Sequence, residues 1–311
     1  MKNCIKIKFT DFWPGFDKEN NMFVHFLQNY YQVEFSDDPD IVIYSCYGFD
    51  FLKYTCSKIF YTAENVRPDF RECDYAFTFD YPDYSNRNFR LPLYRWRGDL
   101  DKLIQVKDAE KIVAEKTKFC CMLVSNPNGK ERNLFFEKLS KYKQVDSGGK
   151  HLNNIGYRVP DKNAFIAQYK FTLSFENTSY PGYTTEKLVE PMLENSLPVY
   201  WGNTLVGNDF NTKSFINIHD FASFDEAIER IIAIDSNDDL YIQYLNQPYF
   251  KNNVFPHELE FKTIEDKFIE VVNTLLHNKS VTNGFNRWYS VGKMIKKKLI
   301  SKVTKEPLWY C

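Results

Sequence analysis

Between Phe171 and Asn203 an apolar run ends in Glu176 and Asn177, and a loop carrying Tyr180 and Tyr183 follows. Thr184, Thr185, Glu186 and Lys187 then open a helical pattern ahead of a second apolar run, LPVYWG. Thr184 or Thr185 can cap that helix, which leaves its early backbone N–H groups and positive dipole end facing an anion. Lys187 adds a full positive charge, so the turn suits a phosphate without a metal. Asn177 and Glu186 offer an amide and an acceptor for sugar hydroxyls, while Tyr180 and Tyr183 offer flat faces. By spacing alone Glu186 and Lys187 also serve as ordinary first-turn surface residues, and both readings stand.

Other chemistries find little support. SGGK (147–150) ends like a phosphate loop but has Gln144 where the first glycine belongs and His151 after the lysine; no G-x-G-x-x-G occurs. DSNDD (235–239) begins with calcium-loop spacing yet lacks the glycine and has Asn246 at the bidentate glutamate position, so it reads as a loop before a helix. The five histidines are scattered, without a nucleophile motif. The seven cysteines show no zinc spacing, which implies reduced thiols in a cytosol and no structural metal.

The elements that must position these residues alternate between strand and helix. Ile5, Ile7 and Phe9 mark a first strand rather than a signal peptide, residues 17–31 a helix, and DIVIYS (40–45), KIFYT (58–62) and YAFTF (75–79) further strands. A second round starts near residue 116: KFCCMLVSN is a strand, ERNLFFEKLSKY a helix, and DKNAFIAQYKFTLSFEN a helix running into a strand. After LPVYWG comes a strand at SFINIHD, then amphipathic helices at SFDEAIERIIAI and ELEFKTIEDKFIEVVNTLLHN. This order predicts an α/β fold of two Rossmann-like domains, residues 1–115 and 116–284, with a cleft between facing sheet edges. Trp201 is expected to pack in the second core.

The 311 residues include 40 Lys and Arg against 41 Asp and Glu, which excludes a basic nucleic-acid binder. The charge is uneven: residues 285–311 carry +6 and the preceding 284 carry −7. In that tail Trp288, Val291, Ile295, Leu299 and Val303 form one apolar strip among lysines, a pattern that fits either an amphipathic helix on anionic lipid or a terminal helix packed on its own domain. No stretch reaches the roughly 20 apolar residues of a membrane span. These features predict a cytoplasmic protein, with a tail able to lie on the inner face of the cytoplasmic membrane.

FENTSYPGYTTEK followed by LPVYWG resembles the signature of the α-1,3-fucosyltransferases, and FYTAENVRPDF, DYAFTFDY, SNPNGKERNLFF, GGKHLNNIGY and KSFINIHDF extend the resemblance to about residue 280. This chain has Thr-Thr-Glu-Lys where many relatives have Val-Thr-Glu-Lys, and a proline in the loop; neither removes a functional group. The resemblance implies a GT-B pair of Rossmann-like domains, acceptor on the first and GDP-fucose on the second. It implies an inverting transfer of L-fucose to O3 of N-acetylglucosamine in an N-acetyllactosamine-type glycan, giving a Lewis X type product. A related inverting glycosyltransferase with an α-1,4 linkage or another acceptor is an alternative, as is a non-catalytic nucleotide-sugar or glycan-binding module.

Position by position, the resemblance makes Glu64, in YTAEN, the general base. Arg132 and Lys187 become contacts of the leaving diphosphate, a fork and a point charge that replace a metal ion, so no cofactor is expected. Asn177, Tyr183 and Glu186 take the fucose and ribose hydroxyls, and Asn126 is a further nucleotide-side candidate that also satisfies its own turn. Phe12, Trp13 and Tyr47 are the rings expected to meet the acceptor.

Overall fold

The computed structural model describes residues 2–81, 85–278, 287–304 and 307. The chain forms two compact units, Met1–Pro92 with His257–Cys311 and Leu93–Pro256.

The first unit holds a six-stranded sheet of β1 (Cys4–Thr10), β2 (Gln32–Phe35), β3 (Ile41–Tyr44), β4 (Ser57–Tyr61), β5 (Tyr75–Thr78) and β6 (Asn88–Arg90). Its order is β2-β1-β3-β4-β5-β6, and every pairing is parallel. Parallel strands are covered on both faces, so they read as unbroken apolar runs, and all of IVIY in β3 is buried. Between β1 and β2 runs α1 (Met22–Tyr30), capped by Asn21, whose side-chain oxygen accepts the Val24 N–H at 3.2 Å. Because β2 and β3 flank β1 on opposite sides, the strand order reverses there and opens a crevice beyond the carboxyl ends of β1 and β3.

The second unit repeats the design. After α2 (Ala109–Glu115) come β7 (Lys118–Met122), α3 (Lys130–Leu139), β8 (Val145–Ser147), α4 (Lys162–Ile166), β9 (Tyr169–Phe175), α5 (Glu186–Leu193), β10 (Leu197–Trp201), β11 (Ile216–Asn217), α6 (Phe224–Asp235) and α7 (Asp238–Leu245). The sheet order is β11-β10-β9-β7-β8, again all parallel, with the reversal between β7 and β9. Its core gathers Phe135, Phe171, Phe175 and Val199, with Trp201 packed against it. The DSNDD segment is the end of α6 and the start of α7, where Asn237 caps by accepting the Leu240 N–H at 3.1 Å.

The chain then returns to the first unit. Helix α8 (Phe261–His277) lays Phe268 against Phe23 and Phe77, with ring centroids 5.0 and 5.5 Å away. Helix α9 (Arg287–Thr304) follows. The expected boundary near residue 115 therefore moves to 92/93, and residues 257–278 belong to the first unit rather than the second. Packing explains this: α2 lies against α7, the helical turns at Leu93–Trp96 and Leu100–Ile104 lie against α5, and the apolar face of α8 is buried on the first sheet. The two Rossmann-like units otherwise match the α/β, GT-B type class expected.

The tail is not a separate unit either. Val291 and Met294 of α9 pack on the cluster containing Tyr44, Phe51 and Phe60, and Lys293 pairs with Asp69 at 3.1 Å and Glu72 at 2.8 Å. Of the expected strip, Val291 packs, while Trp288, Ile295, Leu299 and Val303 are exposed. Among the described residues no helix is long and apolar enough to cross a membrane. None of the six described cysteines forms a disulfide; Cys311 lies outside the described residues.

Candidate active site

At the reversal in the second sheet, the segment after β7 carries Asn126 and leads into α3, and β9 delivers Glu176 and Asn177 beside it. Arg132, in the first turn of α3, is only 1 % exposed. Its guanidinium folds back, donating to the Asn126 carbonyl oxygen and, from Nη1, to Asn177 Oδ1 at 3.4 Å. A Cβ on Gly129 would stand 2.6 Å from the guanidinium carbon, so only glycine lets the arginine tuck under its own helix. The Asn126 side chain is engaged in its own turn, accepting the Asn128 N–H at 2.9 Å, and serves Arg132 through its carbonyl instead. Nearby, burial and the Arg132 charge hold the His151 imidazole below its ordinary value.

The turn into α5 is organised by a residue that spacing did not single out. Glu176 is fully buried; Oε1 accepts the Thr185 N–H at 2.7 Å, and Oε2 accepts the Thr185 hydroxyl at 2.7 Å and Lys187 Nζ at 3.3 Å. Burial raises its carboxyl above the ordinary value despite the opposing Lys187 charge. Lys187 also lies 3.5 Å from Glu186 Oε1. For Glu186, burial pushes the carboxyl up, but Lys187 and Lys162 outweigh it and hold it low. An acidic residue at the end of a buried strand was the signal available, since such a charge must be met by donors.

Thr185 is the cap, accepting the Lys187 N–H at 3.4 Å, whereas Thr184 is buried and accepts from Asn203 Nδ2 at 3.0 Å. Asn203 Oδ1 also accepts the Gly182 N–H at 2.6 Å, closing the loop where Gly182 adopts a φ of 86°. This closure separates the two tyrosines. Tyr180 is 40 % exposed, but Tyr183 is 2 % exposed, so its ring is a packed wall rather than the open face expected. Asn177, Glu186 and Lys187 are half-buried at the surface of the same turn.

In the first unit Glu64 follows β4. Thr62 Oγ1 accepts the Glu64 N–H at 3.0 Å and donates to the Glu64 carbonyl at 2.8 Å, which fixes the turn. The Tyr47 hydroxyl donates to Glu64 Oε1 at 3.0 Å. Burial and the Glu64 charge push the Tyr47 phenol well above its ordinary value, so it remains a donor, and burial raises the Cys46 thiol to about 12. Trp13 and Tyr47 meet edge to face at 6.2 Å, and Phe12 stacks on Phe16 at 3.9 Å. A half-buried carboxylate thus stands beside an aromatic floor. Among the described residues no group of His, Cys, Asp or Glu is placed to hold a metal ion.

Two family models match the chain: the α-(1,3)-fucosyltransferase FucT N-terminal domain over residues 7–96, and glycosyltransferase family 10 (fucosyltransferase), C-terminal part, over residues 113–288. The chain is 34% identical over 265 residues to the α-(1,3)-fucosyltransferase FucT of Helicobacter pylori, covering 72% of this chain and 54% of that protein. It is 35% identical over 139 residues to mouse 4-galactosyl-N-acetylglucosaminide 3-α-L-fucosyltransferase 9, covering 43% of this chain and 38% of that one. The chain thus spans about half the length, or less, of the curated relatives it matches. A crystal structure of an α1,3-fucosyltransferase with GDP-fucose superposes with a TM-score of 0.73 at 30% identity, covering 91% of this chain and 94% of that one.

Proposed function

We propose, because the chain belongs to glycosyltransferase family 10, the fucosyltransferases, that it transfers L-fucose from GDP-β-L-fucose to O3 of N-acetylglucosamine in N-acetyllactosamine-type acceptors, with inversion. The observation that carries this reading is the gathering of Arg132, Asn177 and the Glu176–Lys187 pair at the reversal of the second sheet, where a doubly wound fold binds nucleotides. The acceptor assignment draws on the name of the mouse relative, which acts on a 4-galactosyl-N-acetylglucosaminide.

In this mechanism Glu64 accepts the proton of the acceptor hydroxyl as that oxygen attacks the anomeric carbon opposite the diphosphate. The Tyr47 hydrogen bond orients its carboxylate. One displacement inverts the centre and needs no carboxylate nucleophile. The Arg132 fork and the Lys187 ammonium meet charge developing on the departing GDP, so no metal ion is required. Asn177 and Glu186 take hydroxyls of the donor, while Tyr183 of the same loop is buried and supports the turn by packing.

The exposed strip of Trp288, Ile295, Leu299 and Val303, flanked by Lys296 and Lys302, fits the anionic inner face of a cytoplasmic membrane. Co-sedimentation with anionic vesicles, retained by the full chain and lost on deleting residues 285–311, checks that contact.

The decisive assay supplies GDP-fucose and a panel of type 1 and type 2 disaccharides, with linkage read by NMR. An α-1,3 product on the type 2 disaccharide, undiminished by EDTA, is expected. An α-1,4 product, a strict Mn2+ requirement, or GDP-fucose binding without transfer would each overturn the corresponding part.

A further inference from the structure

A cavity of about 620 Å³ opens where the strand order of the first sheet reverses. One side is the turn after β1, with Asp11 and Phe12; another is the segment after β3, from Tyr47 to Lys53. Asp11 shapes both: its carboxylate accepts the N–H groups of Asp50 and Phe51 at 2.9 and 2.8 Å, and a Cβ on Gly48 would strike Asp11 Oδ1 at 2.2 Å. The remaining wall is the tail helix, through Val291, Met294 and Lys298. Their spacing of three and four residues puts them on one face of α9, the face Lys293 helps to clamp down through Asp69 and Glu72.

We propose that this cavity is a subsite for the part of the acceptor glycan beyond the reacting sugar, and that Met294 and Lys298 of the tail helix are specificity-determining residues within it. The inference rests on the fucosyltransferase reading above. Tyr47 links the two places: its hydroxyl donates to Glu64, and the residue lines the cavity. A hydroxyl giving its proton to Glu64 must lie within about 3 Å of that carboxylate. The rest of the glycan then runs over Tyr47 into the opening. The volume is within the range of about 300–1,000 Å³ typical of ligand pockets and admits more than one ring. The lining has the chemistry sugars select: the flat faces of Tyr47, Phe12 and Phe49 for their apolar sides, and the charged lip of Asp50, Lys53 and Lys298 for their hydroxyls. The tail therefore reads the acceptor as well as covering part of the first unit.

The test uses the full chain with N-acetyllactosamine and with the tetrasaccharide of two N-acetyllactosamine units. The ratio of kcat/KM for tetrasaccharide over disaccharide is expected to fall about tenfold in Met294→Trp, which fills the cavity, and several-fold in Lys298→Glu. Ile300→Ala, on the opposite side of α9, should leave the ratio unchanged. Should Met294→Trp fail to fold, the exposed Lys298→Glu carries the same readout. An unchanged ratio in both variants, or an equal loss in Ile300→Ala, overturns the subsite. If the wild type transfers fucose to neither glycan, the function above fails on its own. Saturation-transfer NMR of the tetrasaccharide then decides the cavity separately: a signal that vanishes in Lys298→Glu supports it, and a signal unaffected by either variant overturns it.

Discussion

At the reversal of the first sheet stand Phe12, Trp13 and Tyr47, with the Glu64 carboxylate at their edge; at the reversal of the second stand Arg132 and Asn177, with Lys187 held by a buried Glu176. Both crevices come from one topology, a parallel sheet whose first strand has neighbours on both sides. Their chemistry is opposite. Rings and a proton acceptor suit a neutral sugar that must lose a proton, whereas cations seated among amides suit a diphosphate that must gain negative charge. The backbone supplies the place, and a few side chains at strand ends decide what is done there.

The sharpest way to break this division is at the base. Glu64→Gln should lower kcat by about a thousandfold while GDP-fucose affinity, by calorimetry, stays within a few-fold; near-normal turnover removes Glu64 from the chemistry. Arg132→Lys keeps the charge but loses the fork, and kcat/KM for GDP-fucose should fall about a hundredfold. If the loss appears in acceptor KM instead, the assignment of cations to the donor side is wrong. Glu176→Gln preserves shape while removing the charge opposite Lys187. It should raise the GDP-fucose KM about tenfold, with a smaller change in kcat; an unaltered KM would reduce Glu176 to a strand terminus.

The smallest effect concerns α9. Burial alone would raise the Asp69 carboxyl, but hydrogen bonds from Arg71 and Lys293 hold it well below the usual range. A depressed folded value means that its contribution is complete at neutral pH and is lost as pH falls below about 4. Asp69→Asn should cost about 1 kcal/mol and quicken amide exchange in α9 at neutral pH, with the difference from wild type closing in acid.

How much of this was legible follows from where each residue sits. The central strands β3, β4, β5, β7, β9 and β10 read as largely apolar runs because both faces are covered, and β1 as an alternation of Ile5, Ile7 and Phe9 with lysines. The edge strands did not: β2, β6 and β8 are four, three and three residues with little to bury, and SFINIHD shortened to the two residues of β11. Nothing local in α8 says which sheet its apolar face will find, so its place in the first unit emerged only from packing against Phe23 and Phe77. Lys187 stood out at the strand-to-helix turn, and Arg132 only through the resemblance. Glu176 lay in the same triplet unassigned, and the burial of Tyr183 depends on Asn203, some twenty positions away.

The return of the chain at residue 257 sets an order of events during synthesis. The second unit is one unbroken stretch, complete once Pro256 has emerged, whereas the first sheet, made earlier, lacks α8 until His277 follows. At ordinary translation rates of about 5–20 residues per second, that helix arrives roughly 10–40 s after the first sheet is made. For that interval the ring of Phe23, later covered by Phe268, has no native cover on that side. The ribosome therefore releases a finished second unit before a first unit that must wait for its last piece.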